Sequence, residues 1–487
     1  MRMGRKNLSP LTVAVLAGGL STFAGMARAW AEDPKAPREP KMMRETGEIT
    51  SVIDAFDEDD PFDATFTLGF EQRWHSANIR RESSLFQPGL STGEFVARTE
   101  NVAAFRETTS LLKMGAQVGI YRDLALTLRL PFIMSNAREL SDLDGSSQNP
   151  QRLGDPAGGQ LFSVPHKSPS RSGLDYIAVG ADFGILNQAR DRTKPSWTVG
   201  LEGRFGVGTP MHACTDAPAA GQAKCPDPVT PSVDRDPGSS RGTNAIFAHT
   251  TFSRRYGQVE PYSGFSFLAE FAKEGSEFGG TKPRGALVHN PPLVGTIMAG
   301  IEYVPYERKE QFQRVVVDGR VAGAYHSVGR DYSPLFDALG TTSSKSLTTP
   351  NPSAYRFAED NATSVQDPSS QRVFFNGITE TQGHGRITLA GSVTYQAGEY
   401  VKFNAGGAYT WVQSYLISGA DACNPSTRTD PAVAGPCHSV VNGGVGPQPI
   451  TGLPNPYHRP VIDLPGRRFS VDDGAIVQIF LNGMVMF

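Results

Sequence analysis

The sequence lacks long continuous runs of hydrophobic residues. Of its 487 residues, 39% are hydrophobic, and the mean hydropathy is −0.30. Beyond residue 31 no run of eighteen apolar residues occurs, whereas a membrane-spanning helix needs about 20. A helical membrane protein is therefore excluded. An excess of basic residues is absent as well: the net charge is −3 at pH 7, which argues against nucleic acid as the main partner.

Motifs of common metalloprotease and phosphate-binding sites are missing. The chain contains no HExxH and no phosphate loop with GK[ST]. His75, His249 and His326 fall on polar faces of the segments described below, but no serine partner is marked beside them. Because a hydrolase needs a nucleophile, a base and an orienting group in one place, the sequence predicts no enzyme. It also predicts no cofactor.

The N-terminus has the pattern of a secretory signal. Basic residues precede an apolar or small stretch at 11–26, and small-x-small cleavage patterns follow at 27–29 and 29–31. A membrane anchor is the alternative, but the stretch is short and is followed at once by charge. We expect residues 1–31 to be a signal peptide.

Residues 32–62 are polar, acidic and poor in aromatics, which is typical of a flexible periplasmic leader. A docking strip for a basic periplasmic partner and a loose calcium site are alternatives, although no EF-hand spacing is present. The acidic residues of the possible docking strip are Asp54, Asp57, Glu58, Asp59 and Asp60.

Four cysteines fall in two long polar stretches. In an exported chain an even count suggests disulfides, and pairing within each stretch is the simplest of the three connectivities. Each such bridge would contribute about 3 kcal/mol in the chain-entropy model. A metal site involving His212 and His438 is the alternative, but the spacings match no standard zinc pattern, and we predict no metal. The disulfide candidates are Cys214, Cys225, Cys423 and Cys437.

The last fifteen residues alternate with period two. One face of 473–487 is wholly apolar or glycine, and the other is mixed, which indicates a strand with one side in an apolar medium. The chain ends on Phe487. This segment resembles the closing strand of bacterial outer-membrane β-barrels, which typically ends in Phe.

Eleven further alternating segments precede the terminal one. The twelve are 64–75, 110–120, 123–135, 174–186, 196–207, 243–255, 258–271, 293–304, 313–326, 386–396, 400–413 and 473–487. Their connections alternate between short turns and long loops, the long ones being 76–109, 136–173, 208–242, 272–292, 327–385 and 414–472. Short-long alternation with an even number of strands is the layout of an outer-membrane barrel.

The sequence therefore predicts an all-β fold: an antiparallel transmembrane β-barrel of about 12 strands spanning 63–487, with short periplasmic turns and long extracellular loops. In lipid every backbone donor and acceptor must be paired within the protein, and a closed barrel achieves this without edges. We expect the chain to lie in the outer membrane of a Gram-negative bacterium, in contact with its lipid. Its oligomeric state stays open.

The face opposite the apolar one carries charges of both signs. A charge facing lipid at mid-depth would cost roughly 2–4 kcal/mol, so these side chains are expected to point into the lumen. The predicted lumen residues are Glu71, Arg73, Lys113, Arg129, Asp182, Glu202, Arg204, His249, Arg255, Glu270, Glu302, Asp318, Arg320, Arg386 and Lys402.

Two interpretations of this lumen compete. A water-filled pore with mixed charges would pass small polar solutes, as in a porin-like channel. A network of lumen salt bridges, or long loops folded inward, would instead make a non-conducting scaffold of an envelope assembly for motility, secretion or adhesion. The sequence favours the channel and leaves the scaffold as the alternative.

Overall fold

The computed structural model describes residues 63–83, 98–145, 153–283, 285–352, 355–357, 364–366, 372–398, 400–425, 440–441, 444–445 and 452–486. The expected signal peptide, the acidic leader and Cys437 lie outside these residues, and the side chain of Cys423 is not described. Among the described residues no helix is long and apolar enough to cross a bilayer.

Twelve antiparallel strands close into a barrel, which confirms the predicted fold. They are β1 Ala64–Ser83, β2 Arg98–Tyr121, β3 Leu124–Ser141, β4 Tyr176–Leu186, β5 Ser196–Gly206, β6 Thr243–Ser253, β7 Val259–Ala272, β8 Val294–Arg308, β9 Gln313–His326, β10 His384–Gln396, β11 Val401–Val412 and β12 Phe469–Met486. Each pairs with its neighbours in the chain, and β1 also pairs with β12. At this seam Gly69 lies opposite Lys113 on one side and Asn482 on the other.

The outer surface of the barrel is apolar. Leu126, Leu389 and Ile479 are 44%, 44% and 49% exposed, and each occupies the face that the alternation assigns to lipid. Exposed aromatic side chains lie near strand ends, such as Tyr303 close to a short turn and Trp411 close to a long loop. Amphipathic rings at both ends of a barrel suit the headgroup zones of a bilayer.

Four strands on one side of the barrel extend beyond the predicted segments at the long-loop end. β1 continues to Ser83, β2 begins at Arg98, β3 continues to Ser141 and β12 begins at Phe469. The prediction of loops over these extensions was wrong because bulges, for example between Ser110 and Leu111, shift the alternation. In the extensions, the buried side chains include apolar ones, such as Ile79 and Phe105, and polar ones, such as Arg81 and Asn136.

The long loops fold over the inner face of these extensions. We call the described residues of 142–175, 207–242, 273–293, 327–383 and 413–468 the cap. Its helices are α1 Phe336–Gly340, α2 Lys345–Thr348 and α3 Pro460–Asp463. Its short strands are His166–Lys167, Arg171–Leu174, Gly329–Asp331, Asn351–Pro352, Tyr355–Phe357, Ser364–Gln366, Arg372–Val373, Thr379–Thr381, Tyr415–Leu416, Cys423–Pro425, Val440–Val441, Gly444–Val445 and Gly452–Pro454. A 3₁₀ turn, Lys309–Gln311, lies at the opposite end, between β8 and β9.

A shared hydrophobic core joins cap and barrel. Ile79 and Phe469, from β1 and β12, are fully buried with Leu161, Leu339 and Val461 of three different loops. Burial of large apolar side chains contributes roughly 1.5–3 kcal/mol each. The cap is therefore a packed structure over one side of the barrel mouth.

Polar contacts also hold the cap together. A disulfide joins Cys214 and Cys225 within the loop 207–242, the pairing expected for that loop. The Arg459 guanidinium donates hydrogen bonds to the carbonyl oxygens of Thr349 (3.0 Å) and Val373 (2.8 Å), which ties the last long loop to the loop 327–383.

The pH dependence of the cap is expected to involve Asp463, at the end of α3. Burial, together with the charge of Glu380, raises the pKa of this carboxyl to about 7, although Arg459 and Ala420 donate backbone hydrogen bonds to it. Because the folded pKa exceeds the ordinary value of 3.8, its contribution to stability is full below 3.8 and is lost as the pH rises through about 7.

Asp463→Asn should remove this pH dependence of cap stability between pH 4 and pH 8. The stability of the cap can be measured in both proteins, at each pH, by amide hydrogen exchange in the loop around Ser418, corrected for the pH dependence of intrinsic exchange rates. Neighbouring His458 lies 3.9 Å from the carboxylate, and burial lowers the pKa of its ring below the ordinary value of 6.5. Identical pH profiles for the two proteins would refute the assignment.

Candidate functional site in the barrel lumen

Predicted lumen residues on neighbouring strands meet as ion pairs. Glu71 of β1 pairs with Lys113 of β2, and Arg129 of β3 reaches across to Glu202 of β5. Arg204 Nε also lies 2.8 Å from the Glu202 carboxylate. These pairs neutralise part of the charge that the strands direct inward.

A second group of lumen residues lies on β4 to β6. His249 Nε2 is 3.4 Å from an oxygen of Asp182. The Arg204 guanidinium stacks 4.7 Å from the ring centre of Phe247, which contributes an inward-facing aromatic. This wall therefore mixes charged and aromatic groups.

Three carboxylates lie side by side on β7, β8 and β9. Glu302 is directly opposite Glu260 on one neighbouring strand and Asp318 on the other. The Tyr262 hydroxyl donates a 2.6 Å hydrogen bond to Asp318. We call Glu260, Glu302 and Asp318 the acidic row.

A cavity of about 160 Å³ lies inside the barrel, bordered by part of the acidic row. Six predicted lumen residues line it, with amides and hydroxyls between them. The lining is Glu71, Lys113, Glu302, Val316, Asp318, Arg320, Ser392, Thr394, Lys402, Asn404, Gln478, Phe480 and Asn482. A space lined this way can hold a polar solute by hydrogen bonds and charge.

Other predicted residues lie nearer the cap. Glu270 binds the Arg241 side chain, with 3.0 Å between Arg241 Nε and the nearer carboxylate oxygen, and Arg241 also reaches Asp331 at 2.9 Å. Arg386 donates to the ring of His384, which stacks on Tyr415. These residues join the barrel to the cap.

Two further predicted residues belong to none of these groups. Arg255 lies beyond the end of β6, at the short-turn end, where its guanidinium is 3.1 Å from Glu307. Arg73 lies on β1 opposite Gln478 of β12. Neither borders the cavity.

Several site residues were missed from the sequence. Glu260 shares its strand face with the predicted Glu270, so the alternation of β7 could have found it. Uncharged Asn404, Gln478 and Asn482 also border the cavity. A search for charges alone passes over amides, although they occupy the same face.

No protein-family model matches the chain, and no curated protein matches it. Solved structures similar to it include the COG4313 outer-membrane channel from Pseudomonas putida F1, at 8% identity and a TM-score of 0.35, over 87% of this chain and 95% of that one. A Pseudomonas aeruginosa FadL homologue matches at 8% identity and a TM-score of 0.30, over 92% and 93%. The outer-membrane protease OmpT from Escherichia coli matches at 8% and 0.24, over 88% and 96%.

At these identities and TM-scores, the similar structures say nothing about substrate or activity. The assignment depends on the barrel itself. Its backbone is paired around a closed ring, its exterior is apolar and its interior is charged, as a structure in a bilayer requires. The chain is an outer-membrane β-barrel protein.

Proposed function

We propose that the barrel is a channel through which small polar solutes cross the outer membrane. The observation that supports this most is the cavity of about 160 Å³, whose lining consists almost wholly of charged, amide and hydroxyl side chains. A single water needs roughly 10–15 Å³ measured this way, so the space admits a small organic molecule. Such a lining favours a polar solute over a hydrocarbon.

Ser392 and Val393 of β10 provide a matched test of transport through the lumen. Ser392 borders the cavity, whereas Val393 faces outward and is 49% exposed. Ser392→Trp should fill much of the cavity and reduce single-channel conductance in planar bilayers severalfold. Val393→Trp adds the same side chain to the lipid face and should leave conductance close to that of the unmodified protein.

A channel is supported if the barrel conducts in steps and if Ser392→Trp, but not Val393→Trp, reduces the conductance. Uptake of a pentose sugar into proteoliposomes should likewise be slower for Ser392→Trp than for the unmodified protein, and close to unchanged for Val393→Trp. A folded, inserted barrel that never conducts would contradict the proposal, as would equal conductance in the two tryptophan variants.

The second candidate is a non-conducting scaffold of an envelope assembly. The cap favours it, because its core covers part of the barrel mouth with fully buried side chains such as Leu339 and Phe469. In that case the acidic leader would bind a basic periplasmic partner. Capture of one periplasmic protein that is lost on deleting 54–63, together with electrical silence, would favour the scaffold.

A further inference from the structure

Three tyrosines at the short-turn end of the barrel repeat one arrangement. Each lies opposite an aliphatic residue within the first three positions of the next strand, the pairs being Tyr121 with Leu124, Tyr256 with Val259 and Tyr306 with Val315. Further along the same faces of these strands stand Leu126, Phe265 and Val317, which are exposed on the outer surface. The three tyrosines are exposed as well, so their rings lie on the lipid side of the barrel.

An arginine lies over each of these tyrosine rings. The guanidinium carbon is 5.8, 5.4 and 5.5 Å from the ring centre in the pairs Arg122–Tyr121, Arg254–Tyr256 and Arg308–Tyr306. Aromatic faces attract cations, so the rings hold the three guanidinium groups at the rim. We call these the rim pairs; they belong to the β2–β3, β6–β7 and β8–β9 turns.

The arginines of the rim pairs are not neutralised by carboxylates. None of the three forms an ion pair with an acidic side chain that the structure describes. Arg308 Nη1 makes a polar contact of 3.4 Å with the side-chain oxygen of Gln311, which carries no charge. The carboxylate next to Arg122 in the chain, that of Asp123, is instead 2.9 Å from Arg190.

Neighbouring arginines that face the lumen are paired. Arg255, the residue after Arg254, lies 3.1 Å from Glu307, and Arg314 donates to the same carboxylate at 2.9 Å. The alternation of β6 places Arg254 on the outer face with Phe252 and Arg255 on the inner one. At this end of the barrel, carboxylates therefore serve the inner arginines and leave the positive charge of the rim pairs outside.

Phosphate groups of lipids lie where this charge is held. Tyrosine rings at the end of a barrel occupy the headgroup zone of the bilayer. A guanidinium presents two parallel donors that match phosphate oxygens. Basic side chains at a membrane surface also attract lipids with a net negative charge. The rim pairs thus combine an anchor for depth with a group that recognises the headgroup.

We infer that the rim pairs bind the headgroup phosphates of anionic phospholipids in the periplasmic leaflet of the outer membrane. The three sites lie on the outside of the barrel, so this inference does not depend on whether the lumen conducts. Each site holds one phosphate against an arginine, with the lipid chains along the apolar wall above the tyrosine.

The test places the purified full-length barrel in bilayers of phosphatidylglycerol and phosphatidylcholine, with bromine on the acyl chains of one lipid at a time. A fluorescent label on Ser263→Cys, an exposed residue opposite Phe252, reports the lipid beside the Arg254 site by quenching. We expect about fivefold tighter binding of phosphatidylglycerol, the effect of one basic residue at an anionic lipid surface. Arg254→Gln should bring the ratio close to one.

The matched control is Arg255→Gln, which removes the same charge one residue later on the inner face and should keep the preference. A second label, on Ile387→Cys, needs no change of arginine. It lies on the outer face between Gly323 and Trp411, near the long-loop end of β10, and should report no preference. Equal preference at the two labels, or equal loss in Arg254→Gln and Arg255→Gln, would overturn the sites.

Inorganic phosphate separates a lipid headgroup from a dissolved anion as the ligand. Added at constant ionic strength, it should leave the preference at the Ser263→Cys label unchanged, because lipid in the bilayer is present at a far higher effective concentration. Loss of the preference would show that the rim pairs bind dissolved phosphate, and would overturn their assignment to lipid.

Discussion

Replacing Asp337 with alanine is expected to destabilise the cap by about 3–5 kcal/mol, because the buried Arg171 then loses its counter-charge. Arg171 is 1% exposed, and its guanidinium holds both carboxylate oxygens of Asp337. It also donates to the carbonyl oxygen of His212 at 2.8 Å, and the Cys214 amide donates to Asp337 at 3.0 Å. The pair therefore joins three of the long loops.

The pH dependence of this pair has a definite sign. Burial by itself would raise the pKa of Asp337, but Arg171 and Arg138 hold it below the ordinary value of 3.8. The pair's contribution to stability is therefore present above pH 3.8 and is lost as the pH falls through the lower folded pKa. Cap stability should fall in acid for this reason.

Limited proteolysis of the inserted barrel measures the effect of Asp337→Ala. We expect cleavage within the loops to be at least a hundredfold faster, with the β-strands still protected, since 3 kcal/mol exceeds two factors of ten. Asp216→Ala, at an exposed residue of a neighbouring loop, is the control and should be cleaved at the normal rate.

A double variant separates pairing from packing. Replacing Arg171 with Met and Asp337 with Leu removes both charges and keeps the volume filled, which is often close to neutral for buried pairs. It should recover most of the protection. A single variant that is cleaved like the unmodified protein would show that the pair does not hold the cap.

The second large effect concerns the lipid face of β12. Ile479→Arg should lower the free energy of unfolding from bilayers by roughly 2–4 kcal/mol, because it places a charge in the hydrocarbon. Gln478→Arg adds the same side chain one residue earlier, where it enters the polar cavity. Denaturant titration in liposomes should show a clear loss for the first variant and a much smaller change for the second. Equal losses would contradict the assignment of faces.

The barrel could be predicted because every strand obeys one physical rule along its middle. Lipid selects the apolar face, and charges such as Glu202 and Asp318 then fix the opposite face. Above the membrane that rule ends, and the inner faces of β1 and β12 become apolar where they meet the cap, at Ile79 and Phe469. A period-two pattern cannot show which loop will cover such a face.

The sequence could predict which residues line the lumen, but not which of them contact each other. Alternation assigned Glu302 and Arg320 to one face, but their partners depend on the register between strands and on side-chain packing. Glu260 shares the polar face of β7 with Glu270, but the face alone does not show which residues lie beside it on the next strand. Its place beside Glu302 became visible only with the register of β7 and β8.

The most direct test of the whole account is the environment of successive residues on β12. A fluorescent label attached to single cysteines at positions 477 to 482, in reconstituted barrels, can be quenched by brominated lipid or by aqueous iodide. We predict strong lipid quenching at Val477, Ile479 and Leu481, and weak lipid quenching at Gln478, Phe480 and Asn482, the positions that border the cavity. Uniform quenching along the strand, or the opposite alternation, would contradict a barrel with lipid outside and a polar lumen within.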